Sequence, residues 1–416
     1  MPKNNKIYGF NIPGRTEERW NISYGCDNCE VGCECWALKM IPRLHVTVPE
    51  SAFTWKRKED GKLAWTGTVH LIPERLKQPL VWNKPRFVSV EFMGDLFAHN
   101  VPFEFIAAVK GVASVTGQHW YMNLTKFPER VIEFEAWLTD YAEMVKSATT
   151  GGSLNFLKLH FLRTCALNYG LDITAQAPNH GIYPLPNWIQ GVSATNQETW
   201  DTRTDLLKRI PAARRVVSLE PMHGPVTPWE YNDWDGVLEG APVLANYGST
   251  PDSVHGPRED FCDTYLSIDW LIAGGGPWPV HPRWVETLKL ACETGDGEPV
   301  PFWWKQWGKY GTKFKCGKYT QSKPFVKTDI PYFLEYYSYE RFFNNPEWMN
   351  GGLGLDMTGK VINDGVDFAG VITDSYPVAI LHKLGKHKTG ALVDGQLLQE
   401  LPEWLVNGPP EVSSND

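Results

Sequence analysis

The sequence has no long basic run and no long hydrophobic run, and these absences exclude several classes of protein. Its 40 Lys and Arg residues are outnumbered by 48 Asp and Glu residues, which gives a formal net charge of −8. Nonspecific binding to nucleic-acid phosphates needs clustered positive charge, so it is not the expected main activity. No apolar stretch approaches the ~20 residues that cross a bilayer, and none follows a basic start, so we expect a cytoplasmic protein without membrane contact.

Familiar catalytic motifs are also missing, while cysteine is scarce but concentrated. The sequence contains no H-E-x-x-H and no G-x-S-x-G. Four of the 8 cysteines, Cys26, Cys29, Cys33 and Cys35, fall within ten residues. In a reducing cytoplasm, this cluster predicts metal binding or redox chemistry rather than structural disulfides.

Short apolar segments alternate with amphipathic segments along most of the chain. The apolar segments are 86–97, 119–130, 187–197, 214–225, 267–279 and 298–308, and the clearest helical patterns are 103–115, 130–147, 199–213 and 281–295. This alternation predicts an α/β protein, a partial (β/α) barrel of about six parallel βα units. We expect the barrel over 1–310, with an insertion at 226–266, and an irregular C-terminal extension over 311–416.

Polar residues and glycines recur where the predicted strands end. They are Asp95, Lys126, Ser193, Asn196, Glu220, Gly274 to Gly276, Lys305 and Gln306. Barrels and open α/β sheets bind ligands at the carboxyl ends of their strands, so we expect a site there.

Three hypotheses explain the cysteine cluster. Structural zinc needs four ligands and would make the chain a zinc-stabilised α/β-barrel binding protein without redox chemistry. A redox dithiol, or cysteines that are simply buried, is the second hypothesis. The third is an iron–sulfur cluster, whose thiolate ligands come from one cysteine-rich loop. The loop follows a short predicted strand, RWNISYG (19–25), and precedes a predicted helix, CWALKMIPRL (35–44), which favours the third hypothesis.

The segment WNISYGCDNCEVGCECWA (20–37) resembles the cysteine loop of the radical SAM superfamily, and within it a branch of phage-encoded three-Cys-motif proteins. Further similar segments follow in order over nearly the whole chain: MGDLFAHNVP (93–102), LTKFPERV (124–131), GVSATNQ (191–197), SLEPMHGPV (218–226), IDWLIAGG (268–275), HPRWV (281–285), PFWWKQWG (301–308) and LVDG (392–395). The chain departs from that branch in its C-x-C spacing, in the extra Cys29 and in GGGP where the branch has GGES.

The resemblance implies a [4Fe–4S] cluster held by Cys26, Cys33 and Cys35, with Cys29 as the rival third ligand. It also implies S-adenosylmethionine, cleaved after one-electron reduction to methionine and a 5′-deoxyadenosyl radical. A cluster that is only structural, in a nuclease-like or regulatory phage protein, is a further alternative.

The same resemblance gives expected roles to the strand-end residues. Met93, Gly94 and Asp95 would lie near the methionine moiety, Ser193 and Asn196 near carboxylate and ribose, Glu220 near the ribose, and Gly274 and Gly275 near adenine. Lys126, Lys305 and Gln306 are the candidate catalytic residues. Each also has a purely structural explanation: a helix N-cap, a salt bridge, a tight turn or a solvated side chain.

The expected partners follow from the phage-type resemblance. They are a small-molecule or nucleotide substrate, such as a hypermodified DNA base, DNA presented by a partner protein, and an electron donor such as flavodoxin. The compartment would then be the host cytoplasm.

Overall fold

The strands and helices come from a computed structural model. It describes residues 9–41, 54–148, 152–176, 181–228, 268–294, 299–311, 352–356, 358–362, 379–385, 389, 391–393 and 396–410. From residue 229 onward, the insertion predicted at 226–266 lies outside the described residues, as does much of the predicted C-terminal extension.

The strands in chain order are β1 (Thr16–Trp20), β2 (Ser23–Tyr24), β3 (Thr54–Lys56), β4 (Leu63–Trp65), β5 (His70–Leu71), β6 (Arg86–Val90), β7 (Trp120–Thr125), β8 (Trp188–Ala194), β9 (Arg214–Leu219), β10 (Trp270–Ala273), β11 (Phe302–Trp304), β12 (Tyr310–Gly311), β13 (Gly352–Leu355), β14 (Val361–Ile362), β15 (Ala379–Lys383), β16 (Leu392–Val393) and β17 (Gln396–Leu397). The α-helices are α1 (Trp36–Met40), α2 (Phe103–Val115), α3 (Pro128–Ala148), α4 (Leu154–Cys165), α5 (Gln197–Arg209), α6 (Pro282–Thr294) and α7 (Glu403–Asn407). Short 3-10 helices cover Gly32–Glu34, Pro73–Arg75, Pro79–Val81 and Ala166–Tyr169.

Seven strands form one parallel sheet in the order β1-β6-β7-β8-β9-β10-β11, and helices follow several of them. This is the predicted partial α/β barrel. The strands are almost continuously buried, as in β7 and β10, because helices cover a parallel sheet on its outer face. Each of the six predicted apolar segments contains one of these strands, and β1 is the seventh.

The segment leading into the cysteine loop differs from the expectation. We expected a strand over 19–25, whereas β1 ends at Trp20 and pairs in parallel with β6. Residues Ser23 and Tyr24 instead form β2, which is antiparallel to β5. The predicted helix over 35–44 is the short α1 within the described residues, which stop at Ile41 before resuming at Thr54.

The chain divides into two compact units. The first contains Met1–Ser193, Thr202–Ser218 and Leu401–Asp416, and the second contains Ala194–Asp201 and Leu219–Glu400. In the second unit, the described parts of the C-terminal extension include an antiparallel sheet in the order β12-β15-β13-β14. No helix in the described part of the chain is long and apolar enough to cross a membrane.

Candidate cofactor site

The cysteine loop, residues 25–35, follows β2 in the first unit and ends in the 3-10 helix that leads to α1. Its four cysteines are free thiols, and all four are half-buried. The backbone is turned by hydrogen bonds from Gly32 N to the Cys29 carbonyl oxygen (3.0 Å) and from Cys35 N to the Gly32 carbonyl oxygen (3.1 Å). The thiols are thus presented on a short, internally bonded turn rather than on regular secondary structure.

Two side chains inside the loop anchor it to neighbouring segments. The Asn28 amide makes a reciprocal pair with the backbone of Trp65, with distances of 2.9 Å and 3.1 Å. The Asp27 carboxylate accepts hydrogen bonds from the backbone N–H of His99 (2.8 Å) and contacts its ring nitrogen Nδ1 at 3.1 Å. These contacts fix the loop at positions between the cysteines.

One side of the loop packs on a small hydrophobic cluster. Its buried members are Ala37, Leu38, Ile41, Trp65 and Met93, and the partly buried side chains of Cys26 and Cys35 pack against it. Met93, predicted near the cofactor, is therefore a core contact of the loop in this structure.

Gly94 brings the loop close to the segment after β6. Gly25 and Gly94 form an isolated parallel bridge. A Cβ atom at Gly94 would lie only 2.6 Å from the Gly25 carbonyl oxygen, so any side chain there would displace the loop. The need for glycine at 94 follows from this close approach.

Asp95 is buried, and both of its carboxylate oxygens accept hydrogen bonds from backbone N–H groups. Its Oδ1 accepts from Phe97 N (2.9 Å) and its Oδ2 from Lys126 N (2.8 Å). Burial raises the pKa of Asp95 to about 6, although these N–H groups act in the opposite direction. The expected alternative role, an N-cap of the following helix, is not its role here, because α2 begins only at Phe103.

Glu91 is a second buried carboxyl group beside the loop, and the sequence did not single it out. Its Oε2 accepts from Ile22 N and Ser23 N, both at 2.7 Å. Burial raises the pKa of Glu91 to about 8, while these two N–H groups lower it. Glu91 is also the one non-glycine residue with positive φ (53°) in the described ranges, a strained conformation typical of functional segments.

Glu30 joins the cysteine loop to two cations. Its Oε1 accepts from Lys126 Nζ (2.9 Å) and from Arg203 (2.8 Å), and its Oε2 accepts from Arg203 (3.0 Å). Arg203, from α5, also donates to the Ser193 carbonyl oxygen (2.6 Å). Burial alone would raise the pKa of Glu30, but the hydrogen bonds and charges of Arg203 and Lys126 lower it to about 2. Predicted residues Lys126 and Ser193 therefore belong to one network with the loop.

The thiols of Cys26 and Cys29 are disfavoured as thiolates in this structure. Burial raises the pKa of Cys26 well above its ordinary value, and the charges of Asp95, Cys29 and Cys35 add to the effect. Burial also raises the pKa of Cys29, while the nearby Lys126 acts in the opposite direction. Metal binding requires thiolates, so a bound metal ion would have to displace these protons.

The donor chemistry of the loop suits a thiolate-bound cluster, but the side chains are not arranged around a common centre. Within the described ranges, no group of three His, Cys, Asp or Glu side chains could hold a metal ion as placed. The thiols would have to turn toward one point to bind a cluster.

In the second unit, Glu220 forms a separate polar cluster. It follows β9 directly, and Lys305 and Gln306 follow β11. Lys305 Nζ donates to Glu220 Oε2 (2.9 Å), and Gln306 Nε2 lies 3.4 Å from Oε1. The structure thus brings these three predicted residues together, with the ion pair about 15% exposed on each side.

The glycines after β10 allow close backbone packing. A Cβ atom at Gly275 would lie 2.1 Å from the Trp307 carbonyl oxygen, and one at Gly274 would lie 3.3 Å from Lys305 Cβ. Gly275 N also donates to the Gln306 carbonyl oxygen at 2.6 Å. Tight packing therefore accounts for both glycines, with or without an adenine ring nearby.

Asn196 caps helix α5. Its Oδ1 accepts from Thr199 N (3.0 Å) and from the Thr199 hydroxyl (2.7 Å), the pattern of an N-cap residue. The structural alternative considered for Asn196 is present in the structure, and any ligand contact would be additional to it.

A family model described as a protein of unknown function (DUF5131) matches residues 14–402. The chain belongs to the DUF5131 family. No curated protein and no solved structure matches the chain. The matched range includes the cysteine loop and every predicted site residue.

The structure brings most of the predicted residues into two groups, one around the cysteine loop in the first unit and one around Glu220 in the second, while Asn196 caps α5. Sequence analysis did not identify Glu30 and Arg203 as site residues, and the two are 173 positions apart. An acidic residue inside a cysteine cluster was the available signal for Glu30. No spacing pattern could have paired it with Arg203.

Proposed function

We propose that this member of the DUF5131 family is a radical SAM enzyme, in which Cys26, Cys33 and Cys35 hold a [4Fe–4S] cluster. The observation that supports this best is the cysteine loop itself: four free, half-buried thiols after β1 of a partial α/β barrel, bridged through Gly25 to Gly94 beyond β6. A reduced cluster held by these cysteines would supply the one electron needed to cleave S-adenosylmethionine to methionine and a 5′-deoxyadenosyl radical.

The protein's own groups hold and shield the loop in this proposal. Asp27, Asn28 and Glu30 anchor the segment between the cysteines, and Met93 covers it on the apolar side. Such a held loop limits the access of water to a reactive species, which radical chemistry requires.

The polar strand ends are the proposed ligand contacts. Asp95, Ser193, Asn196 and Glu220 are proposed for the cofactor. Lys126, Lys305 and Gln306 are proposed for the substrate. Each of these side chains except Ser193 also has a structural partner, and a carboxylate has enough lone pairs for a further donor.

A nucleotide or a hypermodified DNA base is the proposed substrate class. The net charge of −8 disfavours tight wrapping of a duplex. Reaching a base inside a duplex also costs about a few kcal/mol of unstacking. The substrate is therefore a free nucleotide, a short strand or DNA presented by a partner protein, and a flavodoxin-like protein donates the electron.

Metal analysis of protein purified and reconstituted without oxygen tests this proposal. We expect a brown protein with about four iron and four sulfide per chain, as a [4Fe–4S] cluster requires. A colourless protein with one zinc per chain would overturn the proposal in favour of a zinc-stabilised binding protein.

A further inference from the structure

A small aromatic cavity lies in the second unit and has no role in the proposal above. We call it the ring slot. It has a volume of about 160 Å³, and its main lining residues are His223, Trp278, Pro279, Trp284, Leu355 and Thr358. Pockets that enclose whole drug-sized ligands measure about 300–1,000 Å³, so the ring slot suits one ring system rather than a complete large molecule.

Two of the aromatic side chains that line the ring slot stack on each other. The His223 imidazole and the Trp278 indole are stacked, with centroids 4.1 Å apart and planes inclined by 27°. Trp284 is buried at 3% exposure and forms another wall. Flat aromatic walls favour planar ligands, because stacking depends on two parallel faces.

The ring slot has few polar side chains, and these can form hydrogen bonds. Partial burial lowers the pKa of His223, which favours the neutral ring, and a neutral imidazole offers both a donor and an acceptor nitrogen. Thr358 also lines the slot, and its hydroxyl donates to Asp356 Oδ1 at 2.8 Å, which leaves the hydroxyl oxygen as an acceptor. Neutral hydrogen-bonding groups beside aromatic faces suit the edge of a nucleobase better than a phosphate or a carboxylate.

The ring slot also lies at the carboxyl ends of barrel strands. His223 comes four residues after β9, and Trp278 comes five residues after β10. The two segments are joined by a hydrogen bond from Met222 N to the Gly274 carbonyl oxygen (2.9 Å). The end of a barrel strand is where this fold places ligand contacts.

We infer that the ring slot binds the planar base of a nucleoside or nucleotide, with Trp278 as the stacking residue. The assignment of that base to the substrate rests on the proposed function. The base-binding property itself does not, since it needs neither cluster nor radical.

Nucleoside binding to the metal-free full-length chain tests the inference. Adenosine, guanosine, cytidine and thymidine would be titrated and followed by calorimetry and tryptophan fluorescence. We expect binding that Trp278→Ala weakens by about tenfold, since stacking of a base on an aromatic side chain has that order of strength. Trp278→Phe should retain most of the affinity.

The matched control is Trp55→Ala, which removes an exposed indole from β3 in the first unit and should leave binding unchanged. His223→Ala, at an exposed position, is a second variant in case Trp278→Ala does not fold, and it should also weaken binding. Absence of nucleoside binding, or equal affinity in wild type, Trp278→Ala and His223→Ala, would overturn the inference.

Two competition experiments complete the test. Binding of tetramethylammonium in place of nucleosides would identify a cation site and overturn the inference. Displacement of the nucleoside by S-adenosylmethionine would assign the slot to the cofactor and overturn the substrate assignment. Nucleoside binding by a chain that never takes up iron would support the slot while contradicting the proposed radical chemistry, so the two failures are distinguishable.

Discussion

Glu30 is the side chain that most directly links the cysteine loop to the rest of the first unit. Its carboxylate receives three hydrogen bonds from Lys126 and Arg203, whose side chains are 19% and 13% exposed. Ion pairs with this degree of burial are intermediate between two cases. Exposed pairs contribute little to folding stability, whereas removal of one partner of a buried pair is strongly destabilising. The loop should therefore depend on this residue for its order.

We expect Glu30→Ala to loosen the loop at a cost of about 1 kcal/mol, because Lys126 and Arg203 lose their shared carboxylate partner. Hydrogen exchange of the Gly32 and Cys35 amides should become faster. Glu133→Ala, which removes an exposed pair with Arg130, is the matched control and should leave those amides unchanged. Equal exchange in both variants would show that Glu30 does not order the loop.

The contribution of each cysteine to cluster binding can be tested separately. We expect Cys26→Ser, Cys33→Ser and Cys35→Ser each to abolish cluster binding after anaerobic reconstitution, while Cys29→Ser keeps its full iron content. Iron and sulfide analysis with electron paramagnetic resonance measures this. Retained iron in Cys35→Ser together with loss in Cys29→Ser would transfer the third ligand position to Cys29.

Glu91 should make stability depend on pH. Its folded pKa of about 8 lies above the ordinary glutamate value, so between the two values the folded chain holds a proton that the unfolded chain has released. The free energy of unfolding should then fall as pH rises through this window, by at most about 1.4 kcal/mol per pH unit. Urea unfolding of wild type and Glu91→Gln from pH 5 to pH 8 measures the effect.

Glu91→Gln keeps an oxygen acceptor for Ile22 N and Ser23 N but does not titrate. The stability of the variant relative to wild type should increase steadily with pH. A constant difference between the two proteins across this range would mean that Glu91 titrates alike in the folded and unfolded chains.

At the level of residues, the sequence predicted which residues follow a strand better than which side chains they contact. Lys126, Glu220, Lys305 and Gln306 do follow strands as predicted, because the end of an apolar run is visible in the sequence. Their partners are not visible, since an ion pair such as Glu30–Arg203 depends on folding distant segments together. The N-cap explanation given for Asn196 is confirmed, because its Oδ1 accepts from Thr199 N.

The segment between β6 and α2 controls how closely the cysteine loop approaches the sheet. Gly94→Ala would place a Cβ atom 2.6 Å from the Gly25 carbonyl oxygen. Because backbone atoms must shift to relieve this contact, we expect reconstituted iron to fall several-fold at near-normal folding. Circular dichroism and iron analysis of the same samples measure both quantities.

Gly191→Ala in β8 is the matched control for Gly94→Ala. Its Cβ atom would lie 2.4 Å from Leu124 Cδ2 and 2.8 Å from the Val216 carbonyl oxygen, inside the sheet and remote in sequence from the loop. It should lower stability while the folded fraction keeps its iron. Equal iron per folded chain in Gly94→Ala would contradict a role for the close approach.

Elements with a single strong pattern were predictable, and elements with mixed patterns were not. The predicted helix at 103–115 has the bounds of α2, because a buried helix begins after Pro102 and is apolar nearly all round. Helix α4 is not among the predicted helical patterns, although Ser153 is an N-cap whose Oγ accepts from Phe156 N. The pairing of β2 with β5 was also missed, since two-residue strands have no periodicity to detect.

For the molecule as a whole, the partial barrel was predictable from the alternation of buried strands and amphipathic helices. The chemistry was not, because the described side chains of the cysteine loop are not arranged around a common centre that would identify a ligand. The resemblance to radical SAM proteins predicts a specific chemistry, the cleavage of S-adenosylmethionine. The family match does not test this prediction, because the family is described only as proteins of unknown function.

Cleavage of S-adenosylmethionine tests that expectation most directly. Protein with a full [4Fe–4S] complement would be reduced with dithionite and incubated with S-adenosylmethionine, and 5′-deoxyadenosine would be measured by mass spectrometry. We predict slow formation of 5′-deoxyadenosine without added substrate, and none from Cys26→Ser. No 5′-deoxyadenosine from the fully loaded, reduced wild-type protein would contradict the account.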